Sequence, residues 1–190
     1  CPSPRPRKTH EGSLPAEHPE FTGFVFKIQA NMDPRHRDRV AFVRICSGKF
    51  ERGMKAQLVR TGRQLNLDRA MTFFAADRTT VEEAYGGDII GLWDSGMLRL
   101  GDTLWAGKKG EPFEGIPYFS PEFFVRARLK DPMKRKQMKK GIEQLCEEGA
   151  VQYFRDRHAD AVDPILGAVG WLQLEVVQYR LKHEYSVDVQ

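Results

Sequence analysis

Eight cations fall between residues 126 and 140: Arg126, Arg128, Lys130, Lys134, Arg135, Lys136, Lys139 and Lys140. Guanidinium and ammonium groups at that density can neutralise phosphates without reading a base sequence, which suits docking on folded RNA; an acidic protein surface would also satisfy them. On a strand, Arg126, Arg128 and Lys130 share one face, because alternate residues point the same way. Beyond Asp131 the other five crowd the first half of a helix whose second half carries Glu143, Glu147 and Glu148. A helix dipole prefers the reverse order, each misplaced charge costing about 0.3–1 kcal/mol at low salt. Local stability does not explain the arrangement. The competing reading is a solvated helix face held by Met138, Ile142 and Leu145.

A second group, Arg35, Arg37 and Arg39, lies in Asn31-Met32-Asp33-Pro34-Arg35-His36-Arg37-Asp38-Arg39 between two strands. Asp33 and Asp38 compensate it, so a solvated loop is the default. A hairpin needs only about two to five linking residues, and a longer charged tip often has a contact to make.

Other chemistries find no residues to carry them. A phosphate-cradling loop needs Gly, four residues, then Gly-Lys-Ser/Thr. Ser47-Gly48-Lys49-Phe50 and Ala106-Gly107-Lys108-Lys109 lack both the first glycine and the hydroxyl. No Gly-x-Ser-x-Gly elbow occurs, and His10, His18, His36, His158 and His183 have no metal spacing. Glu82-Glu83 and Glu147-Glu148 are adjacent in sequence, which on a helix points them apart. Cys1, Cys46 and Cys146 are odd in number and unpaired in spacing, as in a reducing cytosol. No catalytic, metal or cofactor-binding residue is therefore expected in this chain, and no apolar run reaches the roughly 20 residues of a membrane span.

The elements that must position the cations follow from periodicity. Residues 1–20, with five prolines and little to bury, read as a linker. Residues 21–106 read as short strands punctuated by glycines: Phe24 to Ala30, Arg39 to Ile45, Lys55 to Thr61, Ala70 to Ala75, Asp88 to Trp93 and Asp102 to Ala106. Without a convincing helix, they suggest a small closed antiparallel β-barrel. Residues 107–121 read as a connector. Residues 122–190 read as a ferredoxin-like βαβ-βαβ unit. Its first strand runs Phe123 to Leu129, with one helix from Asp131 and Pro132 to Gly149. A second helix spans Trp171 to Tyr185 with the stripe Leu174, Val177, Leu181 and Tyr185. The net charge of +4 and pI near 9.0 leave the cationic excess meaningful only where clustered.

The motifs resemble one family. FTGFVFKIQANMDPRHRDRVAFVRICSGKFERGM is similar to the start of the second domain of peptide chain release factor three, a family of bacterial translational GTPases; its NMDPRHRDR loop is the most family-specific stretch. Elongation factors Tu and G share a looser pattern, present as Val43-Arg44-Ile45-Cys46-Ser47-Gly48 with Gly53, as Ala84-x-x-Gly87-Asp88-Ile89, and as Gly101-Asp102-Thr103. FSPEFFVRARLKDPMKRKQMKKGIEQLCEEGAVQ and GAVGWLQLEVVQYRLKHEYSVDV resemble the two halves of the family's third domain. The resemblance covers roughly residues 21–190 and implies a fragment lacking the GTPase domain. It implies a cytoplasmic factor that, in its GTP form, binds the ribosome after peptide release and promotes departure of the class-I release factor. GTP and magnesium then belong to the full-length protein and its own GTPase domain. The barrel would dock on small-subunit RNA and the third domain would lie near the subunit interface. A monomer is expected, because a closed barrel leaves few strand edges to recruit a copy. The alternatives are the corresponding fragment of elongation factor G and a free-standing RNA-binding barrel.

Overall fold

The computed structural model describes residues 3–30, 39–74, 77–107, 110–154 and 163–190. The chain divides into two compact units, Cys1–Ile116 and Pro117–Gln190.

The first unit is built on strands. β1 (Arg7–Lys8) and β2 (Ser13–Leu14) form a small hairpin. The others are β3 (Thr22–Ala30), β4 (Arg39–Ser47), β5 (Lys49–Glu51), β6 (Lys55–Leu58), β7 (Arg63–Asn66), β8 (Ala70–Phe74), β9 (Asp77–Thr80), β10 (Glu83–Tyr85), β11 (Ile89–Trp93) and β12 (Thr103–Trp105). Eight of these form one antiparallel sheet in the order β7-β6-β12-β3-β4-β11-β8-β9. Period-two alternation sets its faces: Ala41, Val43 and Ile45 of β4 are buried, while Phe42 and Arg44 between them face outward.

The sheet curls but does not close, which corrects the expected closed barrel. β7 and β9 are the ends of the order, and no ladder joins them among the described residues. Between β4 and β5 the chain turns at Gly48, whose φ is +67° and where an added Cβ would lie 2.5 Å from the Glu20 carbonyl carbon. β5 leaves the main sheet there and pairs with β10 in a separate ribbon. Phe50 and Ala84 of that ribbon are buried in the same core as Val25, Val43, Ile90 and Leu104. The ribbon thus shares the core of the main sheet without joining its ladder.

The segment read as a linker folds onto this unit. The Arg7 guanidinium lies 3.7 Å from the Phe24 ring centroid, Thr9 bridges Phe113, and Trp105 Nε1 donates to Glu20 Oε2 at 2.7 Å.

The second unit runs β13 (Phe123–Arg126), α1 (Arg135–Glu147), β14 (Gln152–Phe154), β15 (Ile165–Ala168) and α2 (Trp171–Tyr185). Its sheet order is β13-β15-β14, all antiparallel. A bridge between Leu129 and Val189 adds the end of the chain beside the extension of β13, with Arg128 and Gln190 exchanging two N–H···O bonds at 3.0 Å. The last strand of the expected split unit is thus reduced to one bridge. Ala127, Met138, Ile142, Leu145, Leu166 and Leu181 meet in its core. Gln173 reaches back to accept the Val169 N–H at 2.8 Å at the start of α2, and Ser186, at φ +56°, ends it.

Candidate nucleic-acid interface

Asp131 starts the cationic helix as expected. Its Oδ1 accepts the Met133 N–H at 3.0 Å, and Pro132 occupies a first-turn position that needs no donor. One 3-10 turn, Pro132–Lys134, leads into α1, whose first turn carries no acid. Met138, Gly141, Ile142 and Leu145 form its buried stripe.

The eight cations do not form one surface. On β13, Ala127 is buried and Val125 packs against the helix-side core, so Phe124, Arg126 and Arg128 face the other side of the sheet. Phe124 meets Phe154 edge-on there at 5.3 Å. Arg128 pairs with Asp163 at 3.7 Å and Lys130 with Asp188 at 3.1 Å. The hydrogen bond from Lys130 holds the Asp188 carboxyl below the usual carboxylate range. The helix cations lie across the sheet from Arg126 and Arg128, which corrects the expectation of one continuous patch.

At 100° per residue the helix cations divide again. Arg135 and Lys139 lie on a flank with Ile142 and Cys146, bordering a cavity of about 710 Å³ that Met138 and Tyr153 also line. Lys139 is 3.8 Å from Glu143. Lys134 donates to the Ser186 carbonyl and so joins the start of α1 to the end of α2. Lys136 and Lys140 point directly away from the core. Among the described residues, no ion pair or hydrogen bond engages the side chains of Arg135, Lys136 or Lys140.

Arg39 is corrected outright. It is 8% exposed, its Nε donates to Asp94 Oδ2 at 2.7 Å and its Nη2 to the Leu98 carbonyl at 2.7 Å. Asp94 in turn accepts the Met97 and Leu98 N–H groups, so Arg39 ties the β4 start to the 94–98 turn and presents no cation to a partner. Arg35 and Arg37 lie outside the described residues.

Sequence reasoning missed the outer face of the curled sheet. A register slip between Val25 and Lys27 leaves both Phe26 and Lys27 exposed. Phe26 packs 6.4 Å from Phe42, and Lys27 Nζ stands 5.3 Å from the Phe42 ring centroid. Ile89 and Trp93 of β11 also face outward and are exposed. Cations over aromatic rings on a sheet make a platform suited to nucleic acid. The available signal was alternation: Phe42, Ile89 and Trp93 are the out-of-phase residues of their strands.

Cys46 is buried and Cys146 half-buried. Burial pushes each thiol up to about 11, and Glu147 and Glu143 add to the effect at Cys146.

The curled sheet and the β-α-β-β-α unit that follows it match the domains of a translation-factor module. Residues 20–107 match the family described as elongation factor G domain 2, and residues 113–190 match class II release factor RF3, C-terminal domain. Over its whole length the chain is 56% identical to peptide chain release factor 3 of Symbiobacterium thermophilum, of which it spans 36%. A crystal structure from Thermus thermophilus superposes on 92% of the chain with a TM-score of 0.75 and 27% identity, the match covering 26% of that structure. The chain belongs to the peptide chain release factor 3 family. That family serves translation termination and binds GTP.

Proposed function

We propose that this chain is the ribosome-docking portion of a GTP-dependent termination factor that promotes release of class-I release factors after peptide release. The sheet unit, residues 21–106, docks on small-subunit RNA, and residues 122–190 lie near the subunit interface. The chain supplies no catalytic group: GTP and magnesium belong to a GTPase domain acting in the same cytoplasmic polypeptide.

The observation that carries this reading is the outward face of α1, where Lys136 and Lys140 stand unpaired among the described residues, in a chain of a termination-factor family. Paired cations must give up an ion pair before they can meet phosphate, whereas these two have none to give up. Salt-dependent pelleting with ribosomes tests it. Reversing Lys136 and Lys140 to Glu should weaken binding and lower the salt slope by about 2, one for each phosphate no longer neutralised. Replacing Arg128 and Lys130 with Gln should lower it less. An unchanged slope in a folded Lys136→Glu/Lys140→Glu variant would return α1 to an ordinary solvated face.

A further inference from the structure

The outer face of α2 takes no part in the surface just described. Opposite its core residues Leu174, Val177 and Leu181, the helix turns Leu172, Val176, Tyr179 and His183 to solvent. Leu172 is 70%, Val176 45% and Tyr179 64% exposed, where a surface helix ordinarily carries polar residues. The four are spaced four, three and four residues apart. That is the alternation of a helix–helix seam, with Leu172 and Tyr179 at one heptad position and Val176 and His183 at the other. The Tyr179 and His183 rings already lie 4.2 Å apart, so half of the seam is preformed.

The flanks of the seam specify what fits it. Glu175 and Lys182 are seven residues apart on one side, both exposed. On the other side Arg180 is fully engaged, by Glu148 at 2.6 Å and Glu184 at 2.6 Å. We propose that α2 is a self-association face, on which two copies of this chain pack α2 against α2 in antiparallel register. With the twofold between Val176 and Tyr179, Val176 of one copy meets Tyr179 of the other, Leu172 meets His183, and Glu175 faces Lys182 twice along the one flank. A parallel pair would set Glu175 against Arg180, which two carboxylates already hold. A polyanion gains little here, since the flank carries Glu175 as well as Lys182, and Lys182 already acts on Asp188.

The helix is about 22 Å long, so one such contact buries less than the roughly 1,600 Å² of a standard stable interface. The dimer is therefore weak and concentration-dependent. The expectation of a monomer rested on a barrel without edges and took no account of this face.

Sedimentation equilibrium of the 190-residue chain between about 1 μM and 1 mM tests the proposal. The mass should climb from 21.8 kDa toward twice that value. Leu172→Glu should hold it at the lower value. Glu175→Lys and Lys182→Glu should each weaken the dimer about tenfold, since each replaces two attractive charge pairs with two repulsive ones. The double swap should restore association, which a parallel pair would not show. All three positions are solvent-facing, and circular dichroism will confirm that the helix survives. A mass fixed at 21.8 kDa throughout, a dimer indifferent to Leu172→Glu, or a swap that fails to restore association would each overturn the proposal.

Discussion

Gly141→Ala is expected to destabilise the second unit, although alanine favours a helix more than glycine does. An added Cβ would lie 2.8 Å from Leu181 Cδ2 and 3.0 and 3.2 Å from Cγ and Cδ2 of Tyr185, against the roughly 3.5–4.0 Å of an ordinary carbon contact. Helix propensity and reduced unfolded-chain freedom favour alanine by about 1 kcal/mol. Overpacking costs about 1–3 kcal/mol. Burial decides between them. Leu181 is wholly buried and cannot turn away without leaving the core, whereas Tyr185, half-buried at the end of α2, can yield. A steric cost of about 2 kcal/mol then leaves a net loss of about 1, or roughly 4–8 °C in Tm for a unit of this size. Thermal melts by far-UV circular dichroism report on it, because α1 and α2 both belong to that unit. The decisive control is Leu181→Ala, which alone should cost about 2–5 kcal/mol. In that background the new methyl has room, and Gly141→Ala should become stabilising. If Gly141→Ala raised the Tm in both backgrounds, the helix crossing would not be tight and the reasoning would fail.

Three further outcomes are expected. Calorimetric titration of the chain with GTP and magnesium should give no saturable heat, because no phosphate-cradling sequence is present; a micromolar one-to-one isotherm would contradict this. Arg39→Ala should cost the first unit about 3–5 kcal/mol by leaving Asp94 buried without its cation, and denaturant melts should show Arg39→Ala/Asp94→Ala to be less damaging than the sum of the two single changes. Asp188 contributes stability that is present above its unfolded pKa of about 3.9 and is lost as pH falls through the lower folded value; NMR titration of Lys130→Ala should find the Asp188 carboxyl back near its ordinary range.

Where the sequence carried a period, it could be read. Trp171–Tyr185 is a helix with Leu174, Val177 and Leu181 inward, and Asp131 with Pro132 opens the other helix, because cap chemistry and a 3.6-residue stripe are both local signals. β5, β7, β9 and β10 were not legible: each has three or four residues, and Arg63–Asn66 buries only Leu65, too little for a pattern. Closure of the sheet was misread for a different reason. Whether the end strands β7 and β9 pair is a long-range matter between residues 63–66 and 77–80, which no window of sequence reports. The cation cluster was legible as composition only. Proximity in sequence set Arg126 and Arg128 beside Lys136 and Lys140, but the sheet stands between them, and Arg39 is charged yet buried because its partner, Asp94, lies 55 residues away.

The charge order of α1, unfavourable for its own dipole, becomes intelligible once tertiary partners are assigned. Just past its C-terminal end, Glu148 is held by Arg180 from α2 in a largely buried, charge-assisted contact at 2.6 Å. The two acidic partners raise the Arg180 pKa even though burial works against its charge. Lys134 at the other end donates to Ser186, so cation and anion alike tie α1 to α2. Glu143 answers Lys139 one turn away. What these contacts leave unexplained is Arg135, Lys136 and Lys140, and only the last two point away from any cavity or neighbour. The proposed contact with an external polyanion therefore rests first on Lys136 and Lys140. Arg128, Lys130, Lys134 and Lys139 have partners in the structure, while an opposed dipole with no partner among the described residues still requires a reason at Lys136 and Lys140.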